Sequence, residues 1–130
     1  MLFRVKSVAI ILALHAAAFA WPTQANDNVT DAEIAHLLAF VATSGCEFER
    51  NRTLHSPAEA SEHMQMKYQH VKRRVHNAEG FIRYAASESS FSGRPYHAIC
   101  SGTRITSGEW LTGELAHYRD QQKMAADAKQ

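Results

Sequence analysis

Arg50, Asn51, His63, Lys67, Arg94 and Tyr96 are the residues of this chain best suited by type to hold a ligand. Arginine and lysine meet a carboxylate or a phosphate, and a tyrosine face stacks on a sugar or a peptide. The six are far apart in sequence. They form one site only if the chain around Cys46 lies beside the chain around Cys100. A competing arrangement uses the same charges to hold loops together, with Arg50 and Arg94 paired to Glu49, Glu79 or Glu88.

Catalytic sets are weaker. Glu47 and Glu49 are a carboxylate pair, but in a strand they point the same way, about 7 Å apart, on a wet face. Ser89, Ser90 and His97 lie close in sequence, yet neither a GxSxG elbow nor an SxxK pattern surrounds them. His55, His63 and His70 lack the four-residue spacing of ligands on adjoining helical turns and the HExxH arrangement, although Met64 and Met66 could lend His63 a weak soft-metal site. No Gly-rich phosphate loop follows a strand. The reading therefore assigns no catalytic residue, no metal ligand and no cofactor.

What would position the six begins with export. "MLFRVKSVAIILALHAAAFAWPTQAND" has basic Arg4 and Lys6, an apolar run from Val8 to Leu14, and small residues after it, the pattern of a secretory leader. Cleavage is expected after Ala25, with Thr23 three back from the cut. A cut after Ala20 is the alternative, disfavoured by Pro22. An uncleaved anchor competes, but the apolar run falls short of the roughly 20 residues of a membrane span. The chain has a formal charge of +1, and losing Arg4 and Lys6 makes it −1. A basic field suited to nucleic acid is absent. After cleavage no stable membrane span is expected. The remaining domain is small and marginal without a staple. Cys46 and Cys100 are the two cysteines. In an oxidising compartment they should bridge, closing a loop of about 55 residues that contributes about 4 kcal/mol. Two buried free thiols are the alternative; a catalytic dithiol lacks the CxxC spacing.

The elements follow from local signals. Thr30 and Glu33 form a capping box with Val29 and Ile34 as a staple, opening a helix that Gly45 ends; His36 is placed at its rim. Cys46 to Glu49 alternates as a short strand, and Arg50 to His55 reads as a polar connection. Ser56, Pro57 and Glu59 start a second helix. Its apolar row is Ala60, Met64, Tyr68, Val71 and Val75, and its basic row is His63, Lys67, His70 and Arg74. That basic row is either a solvated shoulder or a strip for an anionic partner. Asn77 caps a third helix after a kink at His76, or the second and third helices are one bent helix. Ser92, Gly93 and Pro95 make a turn, and Tyr96 to Cys100 a strand. Thr106 and Glu109 box a last helix with Leu111, Leu115 and Tyr118 inward. The expected fold is mainly α, about four helices with a short two-stranded β element, preferably antiparallel, pinned by one disulfide. The expected divisions are a leader at 1–25, one helical domain at 26–120 and a frayed polar tail at 121–130.

"SGCEFERN", His55 with His63, Lys67, "AEGFI", "AASESSFSGRPY" and "SGEWLTGELAHYR" together resemble a family of small exported bacterial proteins catalogued only as a domain of unknown function. The resemblance covers about residues 30–119. It implies a periplasmic protein of Gram-negative bacteria without an assigned reaction or ligand. It picks out Phe48, Arg50 and Asn51, then His63 and Lys67, then Ala78, Glu79, Phe81 and Ile82. Later it picks out Ser90, Gly93 and Tyr96, then Trp110, Leu111 and Leu115. The family often has Gly where this chain has Arg52, which puts a tight turn there in doubt; its members also differ in their cysteines. The function expected is a non-catalytic binding or structural module in the periplasm, its partner an anionic envelope component or another periplasmic protein. The alternatives are an envelope hydrolase using Glu and His, and a weak zinc or copper binder.

Overall fold

A computed structural model describes residues 24–130, with side chains from residue 27 onward. The predicted leader falls outside the described residues, but for its last two positions. Among the described residues four helices pack with one sheet. α1 spans Gln24–Thr43, α2 Pro57–Val71, α3 Ala78–Phe81 and α4 Ser107–Asp127. A 3-10 turn extends α2 over Lys72–Arg74, and a π-helical turn extends α3 over Ile82–Ala86. The strands are β1 Glu47–Arg50, β2 Thr53–His55, β3 His97–Cys100 and β4 Thr103–Thr106.

The sheet has four strands in the order β2-β1-β3-β4, every neighbour antiparallel. The expected two-stranded element is therefore corrected: β1 and β3 are the middle of it, and each carries a hairpin partner. Both hairpins turn on two residues with positive φ, Asn51 (50°) with Arg52 (68°) and Ser101 (49°) with Gly102 (78°). That is the twist-matching geometry of a two-residue hairpin. Arg52 takes this conformation without being glycine, so the doubt about a tight turn there is also corrected.

β1 and β3 pair with Glu47 opposite Ile99, Phe48 opposite Ala98 and Glu49 opposite His97. One step further along this register Cys46 faces Cys100, and the two form a disulfide with Cα atoms 4.6 Å apart. That spacing marks a non-hydrogen-bonded cross-strand pair, where side chains approach most closely. Phe48 and Ala98 point into the core, while Glu47 and Glu49 lie on the other face.

The core joins Leu37 and Val41 of α1, Met64 and Tyr68 of α2, Phe81 of α3 and Leu111 and Leu115 of α4. Apolar residues at helical spacing supply each of these faces. The Ser56 box forms as expected, Ser56 Oγ accepting from Glu59 N–H at 3.2 Å and Ser56 N–H donating to the Glu59 carboxylate at 2.8 Å. Asn77 caps α3 through Gly80 N–H at 2.8 Å, so α2 and α3 are separate helices.

The start of α1 differs from expectation. Thr30 lies inside the helix, and Val29 is exposed. Glu33 is buried and holds Arg119 of α4 by two bonds of 2.7 and 2.8 Å. Arg119 also bonds Glu79 of α3, so one guanidinium ties three helices. His36 is partly exposed, as expected of a rim residue, and it bonds Glu114 at 2.6 Å and stacks on Tyr118 at 4.0 Å. α4 continues through the residues expected to fray, exposed on every side to Asp127.

A non-glycine residue in the left-handed region carries a steric cost of about 1 kcal/mol. Arg52→Gly should therefore stabilise the protein by up to about 1 kcal/mol, a rise in Tm of about 4–8 °C at most. Calorimetry of the variant checks this; a lowered Tm contradicts the turn geometry.

Candidate functional site

The register that sets Cys46 opposite Cys100 also sets Arg50 opposite Tyr96 at the far end of the same strand pair. Residues 46, 48 and 50 share one face of β1, because side chains alternate along a strand. Arg50 therefore leaves β1 on the core face, toward α2. His63 and Lys67 stand four apart on α2, one above the other. The backbone of Tyr96 is held from both sides, its N–H donating to Ser87 C=O at 2.9 Å and its C=O accepting from Ser107 N–H at 2.8 Å.

These side chains form one hydrogen-bonded chain. Arg50 Nη1 lies 2.5 Å from His63 Nδ1, and His63 Nε2 lies 3.2 Å from Tyr96 Oη. Lys67 Nζ donates to Tyr96 Oη at 3.4 Å and to the Glu88 carbonyl, and it stands 5.1 Å from the Tyr96 ring centre. A guanidinium only donates, so Nδ1 accepts and His63 is neutral with its proton on Nε2. Nε2–H and the ammonium then both donate to Tyr96 Oη, which leaves the phenol's own O–H to donate outward.

Two surface depressions meet here, sharing Arg50, His63, Met66 and Tyr96. One, of about 230 Å³, runs over Phe48, Ala60 and Met64, with Glu49, Glu59 and Glu62 at its edge. The other, of about 350 Å³, is lined by Asn51, Lys67, His70 and the Ser89–Phe91 segment as well, and no carboxylate lines it. Ser89 is buried, its Oγ accepting from Asn51 Nδ2 and from the N–H groups of Phe91 and Ser92, each at 3.3 Å.

The electrostatics follow from burial and from like charge. His63 titrates below its ordinary value, first because it is desolvated, then because Arg50, Lys67 and His55 oppose its protonation. Burial also lowers Lys67, with Arg50 adding to the effect and Glu88 opposing it. Burial raises Tyr96, against the field of Arg50. Among the described residues neither Arg50 nor Lys67 forms an ion pair with a carboxylate, although Glu88 acts on Lys67 from further off; Glu49 pairs with Arg104 and Glu79 with Arg119. The arrangement in which Arg50 and Arg94 pair with these glutamates is not the one found.

Of the six residues singled out by type, five are brought together: Arg50, Asn51, His63, Lys67 and Tyr96. Arg94 is exposed and outside the lining. Ser89 and Met66 were not foreseen as lining residues. Ser89 lies in a Ser-rich segment whose fold depends on a contact with Asn51, distant in sequence. Both nitrogens of His63 are engaged, and among the described residues no serine oxygen bonds to either. No three His, Cys, Asp or Glu side chains gather as a metal cluster among the described residues.

Two comparisons with known sequences found a match. A family described as "Family of unknown function (DUF5329)" matches residues 28–119. The "Uncharacterized protein YfeK" of Salmonella typhimurium (strain LT2) is 36% identical over 89 residues, covering 67% of this chain and 74% of that protein. No solved structure matches.

The depressed His63 has a measurable consequence. Its contribution to stability is present above the unfolded value of about 6.5 and is lost as pH falls through the lower folded value. NMR titration should place its midpoint below 6.5, and Arg50→Met should move it only part of the way back, since burial remains. A midpoint at or above 6.5 contradicts the neutral, Arg50-bonded imidazole.

Proposed function

The chain belongs to the DUF5329 family, which has no assigned activity, and we propose that it is an exported, periplasmic, non-catalytic module that binds an anionic envelope component. The observation that carries the reading is the supply of donors in the carboxylate-free depression. Arg50 and Lys67 are cations without a carboxylate partner, and Tyr96 has an O–H left over. Every one of these groups needs an acceptor, and a carboxylate or phosphate offers acceptors only. Two like charges held near each other in a partly desolvated place gain more from an anion than surface charges do. Export is supported by the leader pattern at the N-terminus and by the disulfide, which persists in oxidising compartments.

Calorimetric titration with inorganic phosphate, glycerol phosphate and an N-acetylmuramyl peptide tests the site. At least one should bind, with Arg50→Met and Lys67→Met each weakening it about tenfold or more, the worth of a lost charged hydrogen bond. Arg94→Glu should change it less than about threefold, being outside the lining. By reciprocity, bound anion should raise the His63 midpoint. No heat with any anion, or equal binding by the Arg50 and Lys67 variants, contradicts the proposal. An intact mass beginning at Asn26 for protein released from the periplasm is the result expected for export.

A further inference from the structure

Phe91 stands 99% exposed at the tip of the Ser89–Arg94 loop. The exposure does not come from slackness. Ser89 N–H donates to Arg94 C=O at 2.9 Å, and Gly93 N–H to Ser89 C=O at 2.8 Å. Phe91 and Ser92 N–H converge on Ser89 Oγ, and Ser92 Oγ donates to Asn51 Oδ1 at 2.5 Å. A bridge between Glu88 and Pro95 closes the loop's base. The fold thus builds a platform that holds a large apolar ring in water, where it gains nothing.

The surroundings of the ring are cationic. Arg94 is in the loop itself. Arg52 is at the tip of the β1–β2 hairpin, which Asn51 ties to the loop. Arg50 and Lys67 line the depression at whose rim Phe91 stands. Against these four, the carboxylate near Lys67 is that of Glu88. An aromatic ring ringed by cations is complementary to the surface of an anionic bilayer, where phosphates lie above an apolar boundary.

We propose that this loop is a docking element for an anionic bilayer surface, Phe91 entering the headgroup–acyl boundary while Arg50, Arg52, Lys67 and Arg94 face lipid phosphates. No helix among the described residues is long and apolar enough to cross a membrane, and one ring with a few cations gives reversible attachment. The inference goes beyond the anion site, because a soluble anion offers Phe91 no apolar phase.

Co-sedimentation with vesicles tests it, using the purified protein in the form the cell accumulates. Binding should be stronger to phosphatidylglycerol-containing vesicles than to phosphatidylcholine vesicles and should fall as salt rises. Phe91→Ala, at an exposed position, should weaken it about tenfold or more. The pair Arg52→Glu with Arg94→Glu should do the same. Equal sedimentation of wild type and Phe91→Ala overturns the proposal, as does indifference to lipid charge. A dimer in ultracentrifugation that Phe91→Ala abolishes also overturns it, since a second copy would then cover the ring. Loss of phosphate binding with Phe91-dependent vesicle binding retained would remove the soluble-anion reading alone.

Discussion

The pairing of β1 with β3, crosslinked at Cys46 and Cys100, is the constraint from which the rest of the molecule follows. The two strands come from opposite halves of the chain, so their pairing closes a long loop before any local contact repays it. The disulfide removes much of that entropy from the unfolded chain. It also fixes the register, since a slip by one residue would turn each side chain to the opposite face. With Cys46 against Cys100, Phe48 meets Ala98 in the core and Arg50 faces Tyr96 where α2 passes. A single register thus sets the staple, the buried centre of the sheet and the charged end.

The site's character comes from what that geometry keeps apart. Glu49 precedes Arg50 in sequence, yet alternation puts it on the opposite face, where Arg104 takes it at 3.1 Å. Glu79, on α3, is held by Arg119. Arg119 shows what a satisfied cation looks like in this fold: two carboxylates, one of them buried. Arg50 and Lys67 have instead a neutral imidazole, a phenol and a carbonyl. These partners accept hydrogen bonds without cancelling charge, and the positive field stays available to a ligand.

Much of this was legible in the chain. The Ser56 box and the apolar row of α2 fix which way His63 and Lys67 face, and the two cysteines tie the segments that bring Arg50 to Tyr96. The outer strands were not legible. β2 and β4 are three and four residues long and mostly polar, and the first hairpin turns on Asn51 and Arg52 without the glycine that usually announces such a turn. Ser101-Gly102 was a turn signal, but Thr103 to Thr106 sits directly against the cap of α4 and was absorbed into it. Thr30 shows the opposite failure. Its capping letters are correct, but α1 begins earlier and Glu33 is claimed by Arg119, a tertiary contact that no local window contains. Arg94 has the right type in the right loop, yet it is exposed and outside the lining.

The most direct test of the crosslinked seam is hydrogen exchange at the amides of Glu47, Glu49, His97 and Ile99. They belong to the hydrogen-bonded pairs that alternate with the Cys46–Cys100 position. In the oxidised protein they should be among the slowest to exchange, and reduction of the disulfide should cut their protection about 10²–10³-fold, the equivalent of the stability such a loop closure contributes. Unchanged protection at these four amides after complete reduction would contradict the account, because the pairing would then stand without the bond said to fix it.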